Sequence, residues 1–465
     1  MIRSLMIRQE EIMADAIIKG MHGCSREDEY VRPTDPAVLE KLEWFQDQKL
    51  ALMMHFGIYT QLGICESWPL SDGDAEWGRN EIDWEKDPET FKNQYRNLNK
   101  SFNPARFRPE VWADVAARNG FKYYILTTKH HDGFCLFDTK YTDYKSTAPD
   151  CPFHTHKYAD IVKAAFDAFR ARGIGIAAYF SKPDWHCPWY WAEGMDRPVA
   201  YNRNPTYNPK EHPELWNKFV EFTHNQMMEL VRDYGPLDIL WLDGGQVGPR
   251  NGQDIRLSEF AAEARKITPG LLFADRTVGG PNENYITPEQ SVPAAPIRVP
   301  WESCVTVGYA FSYRFAERYK TSRQLVHLLI DVVCRGGNLA LNIAPQPDGN
   351  LPAAAVRSVD GMGAWLRDNG EAIYSTRLDD PNEDGITAFT RSKDGRTHYA
   401  MVRLPEGEKL GETLLIPWPH EANRLTLLGL EAPLRFERTD AGLLVTVPEI
   451  LRGHNPIAPA IRIEK

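Results

Sequence analysis

The chain has 465 residues, 54 Lys plus Arg against 64 Asp plus Glu for a net charge of −10, and 42% hydrophobic and 25% charged residues. This is globular composition with enough chain for one large barrel-sized domain and a smaller one, and it excludes a wholly disordered protein. The sequence has no Lys/Arg-rich run to meet a phosphate backbone and no apolar run near the ~18 residues that span a bilayer, which argues against nucleic-acid and membrane partners.

Residues 1–34 read as an N-terminal extension. Met1 to Cys24 hold short apolar stretches broken by Arg8, Glu10, Glu11, Asp15 and Lys19, so they lack the continuous core of a secretory signal. The expectation is a cytoplasmic protein, or a secreted or periplasmic one whose signal has been removed.

From 35 to 373 short apolar runs alternate with amphipathic stretches, the pattern of parallel βα units. Strands are predicted at Leu50 to Phe56, Tyr123 to Thr128, Ile174 to Phe180, Leu237 to Leu242, Leu271 to Ala274 and Leu339 to Ile343. Helices are predicted at Pro109 to Asn119, Tyr158 to Arg172, Glu214 to Tyr234, Ser258 to Ile267, Arg323 to Arg335 and Ala353 to Asn369. Gly173, Gly235-Pro236 and Gly336-Gly337 supply helix stops. Over 374–465 the texture changes to alternating stretches with turns at Asp394-Gly395 and Ala441-Gly442, as in an antiparallel β-sandwich. The predicted fold is therefore α/β, a (β/α)8-like barrel followed by a C-terminal sandwich.

Seven scattered cysteines do not indicate a disulfide framework. Cys151, His154 and His156 have ligand-like spacing, but a zinc site needs about four ligands and no partner group accompanies them. The 13 Trp, 19 Tyr and 20 Phe suit a carbohydrate cleft and equally suit an ordinary large core.

A parallel barrel displays its chemistry at the C-terminal ends of its strands. This chain places His55 at the first predicted end and Lys129-His130-His131-Asp132 at the second. Tyr179 with Asp184-Trp185-His186, Trp241-Leu242-Asp243-Gly244-Gly245, and Asp275-Arg276 follow at later ends. Asp243 has two readings, a nucleophile or base beside glycines that leave a ligand room, or an N-capping Asp in a βα loop.

The Trp241–Gly245 and His55-Phe56-Gly57 segments, the Lys129–Phe134 run, and Gly336-Gly337-Asn338-Leu339 through Asn342, Pro345, Asp348 and Gly349 resemble the α-L-fucosidases of glycoside hydrolase family 29. The resemblance runs from about Trp44 to Asn369. It implies a retaining exo-α-L-fucosidase acting on fucosylated glycans or glycosides, with no metal or organic cofactor and with Asp243 as nucleophile. Glu289 in Thr287-Pro288-Glu289-Gln290 matches the family's acid/base element. Glu302, near the end of a possible strand, is the alternative. Matching positions imply sugar contacts from His55, Glu76, Trp77, His130, His131, Tyr179, Trp241 and Arg276. Trp185, Trp189 and Trp191 either line the mouth or anchor a loop. A non-hydrolytic carbohydrate-binding barrel and an α-L-galactosidase are the alternative functions. Oligomeric state and linkage preference are not encoded in any recognisable pattern.

Overall fold

A computed structural model of the chain describes residues 18–19, 23–195 and 203–465, apart from the side chains of residues 18, 19, 74 and 76. Seven parallel strands form one curled sheet: β1 (Leu50–Met54), β2 (Tyr123–Lys129), β3 (Gly175–Ser181), β4 (Ile239–Asp243), β5 (Leu272–Asp275), β6 (Glu302–Thr306) and β7 (Asn338–Asn342). Their order is β5-β4-β3-β2-β1-β7-β6. Helices Pro109–Arg118, Ile161–Arg170, Pro213–Asp233, Leu257–Ile267, Ser322–Val333 and Ala353–Asn369 accompany them, close to the predicted bounds.

The expected eighth strand is replaced by an irregular stave between β5 and β6. Asn284 N–H donates to Phe273 O on the β5 side, while Ile286, Pro288 and Gln290 exchange backbone hydrogen bonds with residues 300–304 on the β6 side. This stave, 283–290, carries Glu289, which bridges to Cys304.

Along each strand the side chains alternate between two layers, as the period of two requires. Ala51, Met53, Tyr123, Ile125, Ala177, Tyr179, Ile239, Trp241, Ala274, Cys304 and Ala340 pack inside the barrel. Their neighbours Leu50, Leu52, Tyr124, Leu126, Ala178, Phe180, Leu240, Leu242 and Phe273 pack under the helices. Two residues on from an inner side chain is another inward position, so Met53 leads to His55, Trp241 to Asp243 and Ala274 to Arg276. A register shift between Thr127 and Lys129 breaks the alternation on β2. Lys129 is thereby buried outside against Phe180 and Phe222, and His130 turns inward.

Past Ala372 the chain forms a six-stranded antiparallel sheet, from Arg377–Asp384 to Ala432–Pro433, and a three-stranded one of Thr413–Ile416, Gly442–Thr446 and Phe436–Thr439. They enclose a separate core around Phe389, Trp418, Val402 and Ile463. Arg323 on a barrel helix donates to the carbonyls of Leu404, Asn455, Pro456 and Ile457, joining the sandwich to the barrel. No described helix is long and apolar enough to cross a membrane.

Candidate active site

A cavity of about 260 Å³ opens at the C-terminal end of the sheet, lined by His55, His130, His131, Tyr179, Trp241, Asp243, Arg276 and Glu289 among others. Eight residues from six separate strand ends or connecting segments thus face one space.

Asp243 ends β4 and faces inward. Its Oδ1 accepts from Arg276 Nη1 at 2.8 Å and its Oδ2 from the Tyr179 hydroxyl at 2.6 Å. His131 Nε2 lies 3.7 Å from Oδ2. Burial pushes the carboxyl up, but the Arg276 guanidinium, His131 and the Tyr179 hydroxyl outweigh it and hold Asp243 far below the ordinary carboxylate range. Asp243 is therefore an anion with both oxygens oriented. The N-cap reading fails, because the next helices, a 3-10 turn at Pro249–Asn251 and the α-helix at Leu257–Ile267, have Gly248 and Arg256 at their N-caps, and the Asp243 side-chain oxygens are committed to Tyr179 and Arg276. Gly244 (φ +88°) lies so close to Pro183 that a Cβ would be 2.2 Å from its Cδ, and at Gly245 a Cβ would fall 1.6 Å from Thr277 Oγ1. Both glycines line the cavity, and their lack of a side chain also lets the loop pack closely against Pro183 and Thr277.

Arg276 also donates to Glu289 Oε2 at 2.5 Å, so one guanidinium grips both carboxylates. Its Cζ lies 4.7 Å above the Trp241 ring, which stacks at 5.2 Å on Tyr179. Thr287 of the stave accepts from Nε at 3.3 Å.

The histidines are buried and neutral. Burial depresses His55 and His131 to about 4, and His130 well below its usual value. Asn342 Nδ2 donates to Phe311 O, leaving Oδ1 to accept from His55 Nδ1 at 2.9 Å, so His55 Nε2 is an acceptor. Ser67 Oγ accepts from the Asp132 N–H and sits 2.5 Å from His130 Nδ1; in the tautomer where the hydroxyl gives its proton to that nitrogen, His130 Nε2 is a donor. The pair can match sugar hydroxyls of either polarity.

One expected position differs and one is not covered. Trp77 is 55% exposed and does not line the cavity, and the Glu76 side chain lies outside the described residues. Glu66 and Trp68 line the cavity instead. The run Cys65-Glu66-Ser67-Trp68 carries the same acid-and-indole pairing with one residue inserted, a signal present in the sequence. Glu66 accepts from the Ser312 N–H at 2.7 Å, and burial lifts its carboxyl to about 7 despite that bond. Gly23 and Phe311 also line the cavity, from the N-terminal arm and the loop after β6; neither has a local sequence signal.

Glu302 is the first residue of β6 rather than near its end. It is fully buried beneath the cavity, accepting from Trp241 Nε1 at 2.9 Å and from the Tyr123 hydroxyl. Burial raises its carboxyl to about 7, with both hydrogen bonds opposing. Nothing places it against a ligand. Trp185 and Trp191 are buried and stacked at 5.1 Å, with Trp185 also against Trp68 and His131, so they anchor the loop that backs the cavity.

His130, His131 and Asp243 bring three possible ligand atoms within 4.8 Å, but the guanidinium 2.8 Å from Asp243 opposes a cation there. Cys151 and His154 are engaged elsewhere, Cys151 Sγ with Phe102 O and His154 Nδ1 with the Cys151 carbonyl.

A family model described as alpha-L-fucosidase matches residues 21–371. The plasma alpha-L-fucosidase of Homo sapiens is 27% identical over 429 residues, 88% of this chain and 86% of that protein. Among solved structures, alpha-L-fucosidase isoenzyme 1 of Paenibacillus thiaminolyticus superposes with a TM-score of 0.76 at 27% identity, covering 92% of this chain and 99% of that one. The Thermotoga maritima alpha-fucosidase in complex with fucose superposes with a TM-score of 0.72 at 27% identity, covering 94% and 98%. The inward carboxylates, the buried neutral histidines and the shared barrel-plus-sandwich architecture thus agree with the sequence match over most of the chain, and the protein belongs to the alpha-L-fucosidase family.

Proposed function

We propose that this chain is a retaining exo-α-L-fucosidase that releases terminal α-L-fucose from glycans or glycosides, with Asp243 as nucleophile and Glu289 as acid/base. The observation that carries these roles is the Arg276 guanidinium, which contacts Asp243 at 2.8 Å and Glu289 at 2.5 Å and so keeps the two carboxylates facing one small cavity. A short separation is what double displacement requires.

In the first step an Asp243 oxygen bonds to the anomeric carbon as the glycosidic C–O bond breaks, and the Glu289 carboxyl gives its proton to the departing oxygen. In the second, Glu289 takes a proton from water, whose oxygen attacks the same carbon and releases Asp243 as a carboxylate. Arg276 supplies fixed positive charge beside both carboxylates, and Tyr179 orients the attacking group. His55, His130, His131 and Glu66 offer donors and acceptors for the ring hydroxyls.

Phe311, 4.9 Å from the His55 ring, gives an aromatic wall suited to a C5 methyl. An apolar wall rejects one added hydroxyl by only about 10²-fold, so slow α-L-galactoside cleavage is expected as a side activity. Glu302 does not act as the acid, since it lies under Trp241 with both oxygens engaged.

The test is turnover of an aryl α-L-fucoside, NMR of the first-formed sugar anomer, and trapping with a 2-fluoro-fucosyl substrate followed by peptide mapping. α-Fucose formed first and a label on Asp243 support the assignment. An inverted product or a label elsewhere overturns it, and binding without any turnover favours a carbohydrate-binding protein.

A further inference from the structure

We propose, on the reading that Glu289 is the acid/base, that the N-terminal arm, through 18–19 and 23–30, is a positioning element of the active site: it clamps the stave and sets where the Glu289 carboxyl meets the leaving oxygen. The stave needs such a clamp because its ladder is one-sided. Around Glu289 its backbone bonds run to β6, whereas β5 has already ended at Asp275.

The arm follows the stave and its flanks at successive points. Ile18–Lys19 pairs in parallel with Ser291–Val292, which begins two residues after Glu289. Ser25 Oγ donates to Glu283 Oε2 at 2.6 Å, the oxygen that also accepts from the Gly279 N–H at 2.7 Å, so this carboxylate ties the arm to the turn that starts the stave. The Tyr30 hydroxyl donates to Asn284 O at 3.1 Å, and Tyr30 bridges to Gly280. Beyond the stave, Glu27 accepts from the Arg298 N–H at 3.0 Å. Between these anchors Gly23 lines the cavity with φ +61°, where a Cβ would lie 3.4 Å from the Glu289 Cβ. The arm thus reaches the acid/base directly while also fixing the backbone on both sides of it.

A positioning role through Glu289 has a signature that a general stabilising role lacks. A 2,4-dinitrophenol leaving group departs without protonation, whereas methanol needs the acid, and kcat/KM reports the bond-breaking step. The double variant Ser25→Ala/Glu27→Ala and a chain lacking residues 1–30 are compared with wild type on 2,4-dinitrophenyl and methyl α-L-fucosides. The expected result is kcat/KM within about twofold on the dinitrophenyl substrate and about 10- to 100-fold lower on the methyl fucoside, as for a misplaced acid. Azide should also raise kcat on the dinitrophenyl substrate, since it attacks the glycosyl-enzyme without a base. Equal losses on both substrates, or no loss on either, overturn the proposal, and the double variant decides the matter if the truncated chain does not fold. Glu289→Ala run alongside separates the two readings: if it lacks leaving-group dependence, the acid/base assignment falls and takes the arm's role with it.

Discussion

Asp243 and Glu289 meet across one guanidinium, yet they are held by different kinds of structure. Asp243 ends a strand laddered to β3 on one side and β5 on the other, with Leu242 opposite both Phe180 and Asp275. Glu289 sits on a stave that makes only scattered bridges and leans on the N-terminal arm. A carboxylate at a regular strand end has its place fixed by hydrogen bonds that every parallel barrel makes. One on an irregular stave has its place fixed by contacts particular to this chain. The Asp243 position is thus set by the fold, while the Glu289 position is set by local packing.

Substitutions can break this contrast in order of size. Asp243→Gly should abolish turnover by at least about 10⁴-fold on every fucoside, good leaving group or poor, because no other group can form the ester; steady-state rates on both substrate classes check this. Glu289→Ala should cost about 10² to 10⁴-fold on poor leaving groups only, with azide restoring turnover of activated ones. Uniform loss would mean the stave has collapsed rather than lost an acid.

Arg276→Lys removes the fork that spans both carboxylates and should cost about 10²-fold in kcat/KM. The sign of its pH effect follows from Asp243, whose carboxyl is pushed up by burial and held down by Arg276, His131 and Tyr179. Weakening the Arg276 contribution raises that carboxyl, so activity should be lost at higher pH as the solution is acidified, and the acid limb of the kcat/KM profile should move up. An unmoved limb would show that Asp243 does not set it.

Glu302→Gln should have the smallest effect on rate, within about threefold, since the amide can keep partners for Trp241 and Tyr123 and the group is not near the reacting atoms. Its effect on stability is pH-dependent. Burial raises the Glu302 carboxyl from 4.5 to about 7 in the folded protein, so its contribution to stability is fully present below about 4.5 and is lost as pH rises through about 7. Thermal unfolding at about pH 5 and about pH 8 should therefore show the glutamine variant gaining on wild type at the higher pH. A constant difference would mean Glu302 titrates normally.

Much of this arrangement was written locally. Apolar runs bounded by glycine stops mark the strands and helices, and the polar residues directly after those runs, His55, His130-His131, Asp243 and Arg276, come together in the cavity. The signal works because strand alternation and helix capping depend on neighbours a few residues away. Where a residue's place depends on distant chain, local pattern does not locate it. Local pattern reads Glu302 as a strand-end group, but β6 begins with it, and only pairing with Asn338 on β7 puts it at that depth.

The first connecting loop shows the same limit. Two acid-and-indole runs lie eleven residues or fewer apart in it, and the choice of Glu66 and Trp68 over Trp77 is made by contacts with Ser312 and Arg203, far along the chain. The sequence by itself determined the parallel barrel, the C-terminal sandwich, the family and the inward residues at strand ends, because each rests on short-range periodicity and motif. Only the tertiary structure decided that an irregular stave replaces the eighth strand, that Glu289 and Asp243 share Arg276, and that the N-terminal arm borders the cavity. Those features arise from side chains and backbone segments brought together by closure of the whole barrel, and no local pattern encodes them.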